Sequence, residues 1–209
     1  MTIVKDGYPF ILGSLAAALA VWYGAGIIWC IPFLVLTAYF AYFFRNPKRV
    51  TEQDTSVIYS PADGTVMGVE DFYDEEYLNK EAVKGTIFLS VFNVHVNRSP
   101  VSGEIKYQRY TCGQFVPAYE KNASFENERH AIGVENDKMK VLVIQVAGLL
   151  ARRIVSWVTL GHNLTQGECY GMIKFGSSTE LVLPKNVEIL VKKGDAVTGG
   201  KSIIGRVMD

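Results

Sequence analysis

Residues 7–44 contain no charged side chain. The run GYPFILGSLAAALAVWYGAGIIWCIPFLVLTAYFAYFF would be about 57 Å long as one helix, at roughly 1.5 Å per residue, against about 30 Å for a bilayer's hydrocarbon core. That excess predicts a hairpin of two short spans, Pro9–Tyr23 and Ile27–Phe44, turning at Gly24-Ala25-Gly26. A single span with the remainder lying in the interface is the other reading. Lys5 precedes the run and Arg45, Lys48 and Arg49 follow it, which puts both ends on the cytoplasmic side. Aromatic residues gather where interfaces would fall: Tyr8 and Phe10, Trp22 and Tyr23, then Tyr39, Tyr42, Phe43 and Phe44. A signal peptide ending near Ala18-Leu19-Ala20 fits poorly, because the apolar run continues far beyond it. The pattern predicts a membrane anchor.

Arg45-Asn46-Pro47-Lys48-Arg49 breaks the helix, since proline disfavours helix in the residue before it. From Val57 the pattern changes to short β-type runs punctuated by glycine. The predicted strands are Val57–Ser60, Gly64–Glu70, Gly85–Ser90, Gly103–Tyr110, Ala131–Glu135, Met139–Ala147, Ile154–Trp157, Met172–Phe175, Thr179–Leu183, Glu188–Val191 and Ser202–Val207. Tyr73–Glu81 and Ala118–Phe125 read as irregular or briefly helical. Many short strands without alternating long helices predict a mainly β fold, a compact barrel or barrel-sandwich-like domain over residues 49–209, preceded by the helical hairpin of residues 1–48. Gly161-His-Asn-Leu-Thr-Gln-Gly167 and Gly194-Asp-Ala-Val-Thr-Gly-Gly200 echo one another. Such turns resemble those of biotinyl/lipoyl barrel-sandwich modules. No Met-Lys-Met or Asp-Lys-Ala tip is present for a swinging-arm cofactor.

Charge and cysteines narrow the function. Lysine plus arginine equals aspartate plus glutamate at 21 each in 209 residues, so no basic field points to nucleic acid. Cys30, Cys112 and Cys169 are odd in number and far apart, which fits a reducing compartment and neither a disulfide framework nor a zinc site. No metal is expected.

Three polar motifs stand inside the β-rich body. Ser60-Pro-Ala-Asp-Gly64 places Asp63 in a tight turn, where an Asx-turn role is the ordinary one. Val91-Phe-Asn-Val-His-Val-Asn-Arg-Ser-Pro-Val-Ser-Gly103 sets His95 in an apolar run before a polar loop, as a core histidine often is. Gly176-Ser177, taken alone, is a turn. Together they permit more: an aspartate can orient a histidine that activates a serine hydroxyl. That hydroxyl follows glycine, the least hindered residue, so an N-to-O acyl shift and elimination would cut the chain before Ser177 and leave a pyruvoyl group.

The stretches SPADG, VFNVHVNRSPVSG, ASFENERH, GMIKFGSSTELVLP and FFRNPKR resemble the phosphatidylserine decarboxylase family of short bacterial and archaeal type. The resemblance runs from about residue 40 to the C-terminus. It implies a self-cleaving lyase that converts phosphatidylserine to phosphatidylethanolamine and carbon dioxide through a Schiff base to a pyruvoyl cofactor derived from Ser177. Asp63 and His95 match the family's maturation triad. Cutting between Gly176 and Ser177 would give chains 1–176 and 177–209, which stay associated, and the resemblance implies a homodimer. The partner is a membrane phospholipid, with the catalytic domain on the cytoplasmic face of the cell membrane. Arg98 is a candidate for the lipid phosphate or the serine carboxylate, or else a surface salt bridge. Arg45, Lys48 and Arg49 would lie near anionic lipid. Ser178 is a rival for the cut. His130 and His162 are expected in solvent-exposed turns or loops. Archaetidylserine is the alternative substrate, and a non-catalytic membrane-anchored adaptor the alternative class.

Overall fold

The computed structural model describes residues 2–113, 127–148, 153–175 and 177–208. Gly176 and the predicted irregular segment Ala118–Phe125 lie outside the described residues. The chain divides into two compact units, Met1–Lys48 and Arg49–Asp209.

The first unit is a helical hairpin. Helix α1 (Tyr8–Ala25) and helix α2 (Ile27–Phe43) are separated by Gly26 alone, whose φ of 94° lies where a side chain is strained. Thr37 Oγ1 donates to Ser14 Oγ across the pair at 2.8 Å, and the Phe10 and Phe40 rings stand 5.5 Å apart. Strands β1 (Thr2–Ile3) and β2 (Arg45–Asn46) pair antiparallel and close the open end, helped by the Val4 amide donating to Phe44 O at 3.0 Å. Leu12, Leu19, Ile28 and Trp29 point outward and are exposed. An exterior so evenly apolar suits hydrocarbon better than water. With its leading turn, α1 is long and apolar enough to cross a membrane, whereas α2 is shorter at 17 residues.

The second unit contains strands β3 (Val57–Tyr59), β4 (Gly64–Asp74), β5 (Lys80–Leu89), β6 (Val96–Arg98), β7 (Gly103–Thr111), β8 (Arg129–Glu135), β9 (Lys140–Ala147), β10 (Arg153–Ser156), β11 (Asn163–Leu164), β12 (Cys169–Lys174), β13 (Ser177–Pro184), β14 (Val187–Ile189), β15 (Ala196–Val197) and β16 (Ile203–Val207). They form a sheet of order β11-β7-β8-β9-β13-β5-β4-β15 and two three-stranded sheets, β10-β12-β6 and β14-β16-β3. Ile58, Val66, Ile105, Val143, Leu181 and Ile204 come from all parts of this order and meet in one core. The mainly β expectation holds. The stretch Tyr73–Glu81, expected as irregular or helical, instead completes a long β4–β5 hairpin. There the Asp74 carboxylate accepts from the Tyr77 and Leu78 amides at 3.0 and 2.5 Å, so the acidic residue serves as a turn cap.

The unit repeats itself. Ser60-Pro-Ala-Asp-Gly64 leads into β4, and Ser99-Pro-Val-Ser-Gly103 leads into β7. Ser60 Oγ donates to Ala62 O at 2.7 Å as Ser99 Oγ donates to Val101 O at 2.6 Å. The glycine-bounded turns complete each copy: β15 pairs with the start of β4 at Val197–Gly64, and β11 with the start of β7 at Leu164–Gly103. All four bounding glycines have positive φ, from 69° to 97°. The echo read from those turns is therefore half of a larger pseudo-twofold, and the two Ser-Pro loops cross at its centre. There Arg98 N–H donates to Pro61 O at 2.9 Å, and Tyr59 N–H to Pro100 O at 3.0 Å.

Strand β13 lies at the middle of the large sheet, with β5 on one side and β9 on the other, and all eight of its residues are buried. Leu181 and Leu183 point into the main core, and Val182 points to the cluster on the opposite face. By the same alternation Ser177 and Thr179 face the main core, whereas Ser178 and Glu180 face away.

Candidate active site

Ser177 opens β13 and is fully buried, paired in register with Leu89 of β5 and Ala147 of β9. Its hydroxyl has no hydrogen-bond partner among the described residues. A buried hydroxyl left in that state is costly, and such atoms in native folds call for a reason. The chain enters β13 through Phe175, whose φ of 64° is strained for an aromatic residue. Backbone of that kind stores about 1–3 kcal/mol and persists only where the surroundings enforce it. Ser178, the rival, is buried on the opposite face.

His95 is fully buried just before β6. Its Nδ1 stands 3.0 Å from the Asn93 carbonyl oxygen. A carbonyl only accepts, so Nδ1 carries a proton, and in the neutral ring the lone pair is on Nε2, the form that acts as a base. The His95 carbonyl receives the Ile173 amide at 3.2 Å, and Asn97 Nδ2 donates to Thr179 Oγ1 at 2.9 Å. The segment from His95 to Asn97 thus runs beside the chain on both sides of Ser177.

Asp63 departs from its expected place. Its carboxylate takes a two-pronged ion pair from Arg49 at 2.6 and 2.7 Å and the Gly199 amide at 2.8 Å, and Arg49 also donates to Gly199 O at 2.6 Å. The Asn93 carbonyl, not Asp63, sets the His95 tautomer. The pseudo-twofold explains why. Ser102, the mate of Asp63, accepts the Gln166 amide at 2.9 Å as Asp63 accepts that of Gly199, so both residues tie a Ser-Pro loop to a glycine turn. Arg49, expected near anionic lipid, is buried as the partner of Asp63, with its side chain 6% exposed. Arg45 stacks on the Tyr42 ring at 3.7 Å.

Arg98 is buried at the end of β6 and donates to the Gly167 carbonyl at 2.9 Å. The surface salt-bridge reading fails on that burial. Burial also lowers its pKa, with the nearby Arg49 adding to the effect and Cys169 and Asp63 opposing it. His162 lies in its turn as expected, 3.4 Å from Glu168.

His130 does not lie in an exposed loop; it is buried in β8. Strand alternation turns the imidazole inward, on the same face as the core residues Ile132 and Val134. It belongs to a buried line of polar side chains that reading by local motif missed: Gln108, His130, Gln145, Asn97 and Thr179. Burial pushes the His130 pKa below its ordinary value, and the Gln145 bond only partly offsets this. The unfolded chain therefore protonates at His130 near pH 6.5 while the folded chain stays neutral. Stability is full above about pH 6.5 and falls as pH drops through the folded pKa, by at most about 1.4 kcal/mol per pH unit for this one proton. Denaturant midpoints from pH 7.5 to 5 should show that slope in the wild type and a flatter one in His130→Gln.

With this geometry in hand, similarity to known proteins becomes informative. The family profile described as phosphatidylserine decarboxylase matches residues 36–205. A relative from Carboxydothermus hydrogenoformans is 47% identical over 213 residues, covering 99% of this chain and 97% of its own. One from Geotalea uraniireducens is 43% identical, covering 97% and 95%, and one from Symbiobacterium thermophilum is 41% identical, covering 98% and 95%. Each is named phosphatidylserine decarboxylase proenzyme. The chain thus falls in the class of decarboxylase proenzymes. It belongs to the phosphatidylserine decarboxylase family.

Proposed function

We propose that the chain is a zymogen that cuts itself between Gly176 and Ser177 and then decarboxylates phosphatidylserine to phosphatidylethanolamine. The observation that carries this reading is the Ser177 hydroxyl, buried and without a hydrogen-bond partner among the described residues, at the head of a strand whose eight residues are all buried. In the cut, His95 Nε2 takes the Ser177 Oγ proton, and the oxygen bonds to the Gly176 carbonyl carbon. Collapse breaks the peptide C–N bond and returns a proton to the Ser177 nitrogen, leaving an ester. Loss of the Ser177 α-proton expels the Gly176 carboxylate, and water replaces ammonia at the resulting dehydroalanine. Cutting would also free the strained Phe175 from the strand that follows it.

The surroundings fit a pyruvoyl group at residue 177. The site is buried, and the new terminus is held by β5 and β9 on both sides, which keeps chain 177–209 in the sheet. When formed, that group supplies a ketone for the substrate amine and an electron sink for the loss of carbon dioxide. His95, buried beside β6, is the group we assign to return a proton after it has taken one. Arg98 is the cation we assign to the lipid's carboxylate or phosphate. Asp63 and Arg49 act at one remove, fixing the loop whose Pro61 carbonyl receives the Asn97 amide group and the Arg98 amide. The apolar hairpin holds the enzyme at the cell membrane, with Lys5, Arg45 and Lys48 at its cytoplasmic ends.

Purified protein mixed with vesicles of phosphatidylserine labelled in the serine carboxyl should release labelled carbon dioxide and yield the ethanolamine lipid by mass spectrometry. Archaetidylserine vesicles, run in parallel, test the alternative tail. Fully cut protein that releases carbon dioxide from neither lipid would end this reading.

A further inference from the structure

The polar line through the core has a direction, and its two ends set it. Pro61 O can only accept, so the Asn97 side-chain nitrogen faces it, at 3.4 Å, and the same nitrogen donates to Thr179 Oγ1 at 2.9 Å. Asn97 Oδ1 must then accept, which it does from Gln145 Nε2 at 2.8 Å. Gln145 Oε1 is left to accept from His130 Nδ1 at 2.9 Å, so His130 Nε2 accepts from Gln108 Nε2 at 3.0 Å. At the far end Val158 O, again only an acceptor, stands 3.2 Å from the same Gln108 nitrogen and demands the same orientation. Gly171 leaves the room: a Cβ there would sit 3.3 Å from the Gln145 nitrogen and 2.4 Å from Val155 O.

Every link therefore donates toward Thr179. Its hydroxyl accepts from Asn97 and, among the described residues, gives its own proton to none. Thr179 is fully buried on the same face of β13 as Ser177, two residues on. The neutral His130 required by the line agrees with its burial.

Building on the self-cleavage reading above, we propose that Thr179 is a hydrogen-bond donor to the reacting centre, aimed by Asn97, Gln145, His130 and Gln108 as positioning residues. The charge it meets arises when Ser177 Oγ, its proton passed to His95, bonds to the preceding carbonyl carbon and the carbonyl π electrons move onto oxygen. A donor placed before that charge appears stabilises it without reorganisation.

The test is the time course of cutting after a pulse of synthesis, followed on denaturing gels. Thr179→Val, close in shape but without the hydroxyl, should slow cutting by about 100-fold or more, the usual effect of removing one such donor. Thr179→Ser should cut within a few-fold of wild type. Asn97→Asp replaces a donor by an acceptor and turns the Thr179 proton toward itself, so it should be as slow as Thr179→Val. The double variant should be no slower than either single one. Unfolding midpoints of the same substitutions in a Ser177→Ala background, which cannot cut, report folding separately. Wild-type rates in Thr179→Val, equal slowing in Thr179→Ser, or multiplied effects in the double variant would overturn the proposal and leave self-cleavage standing. A wild-type chain that never cuts would overturn both.

Discussion

Ser177→Ala yields one uncut chain of 23.2 kDa with no decarboxylase activity above background. The substitution removes the attacking oxygen and, with it, the source of the cofactor, so no slower route remains. Folding should survive. Ser177 Oγ makes no hydrogen bond among the described residues, and alanine fills nearly the same space between Leu89 and Ala147. Removing a buried, unsatisfied hydroxyl is neutral or mildly stabilising. The unfolding midpoint should therefore match or exceed that of the precursor while cutting stops. Ser178 offers no rescue, since its hydroxyl faces the other side of the sheet. Normal cutting in Ser177→Ala would move the reaction to Ser178 and undo the assignment of faces.

Arg49→Ala should be the most damaging substitution away from the cut. It strands the Asp63 carboxylate beneath a side chain exposure of 14%, and breaking a buried ion pair by removing one partner costs about 3–5 kcal/mol. For a domain of this size that lowers the melting temperature by roughly 10 °C. Arg49→Lys should recover only part, because an ammonium cannot reproduce the fork on both carboxylate oxygens and also reach Gly199 O. The losses in Arg49→Ala and Asp63→Ala should be far from additive, as expected for two halves of one contact. Thermal melts of the four proteins check this. Additive losses would mean that the two residues stabilise the domain independently.

The strands were legible where a β-type apolar run or alternation stood between turn residues. Val57–Ser60, Gly103–Tyr110 and Met139–Ala147 were expected, and β3 (Val57–Tyr59), β7 (Gly103–Thr111) and β9 (Lys140–Ala147) occupy them. The apolar hairpin was equally plain, because no water-facing helix pair reads so evenly apolar. Long-range polar pairing left no such local trace. Gln145 meets Asn97 across 48 positions and His130 across 15, separations that no window on the chain reveals. The place of Arg49 is hidden for a related reason: a basic cluster beside an anchor resembles a lipid contact, and only the folded loop brings Asp63 to it. One signal was present and underused. Ser-Pro-x-x-Gly occurs twice, before β4 and before β7, and that repeat already hinted that Asp63 shares a turn-holding task with Ser102.

Intact mass of the purified wild-type protein tests self-cleavage with cofactor formation most directly. The mechanism predicts two species, residues 1–176 ending in a free carboxylate and residues 177–209 beginning with a pyruvoyl group. Their summed mass should exceed that of the precursor only by the difference between water and ammonia. A single uncut chain, or two fragments whose sum exceeds the precursor by a whole water as in plain proteolysis, would contradict it.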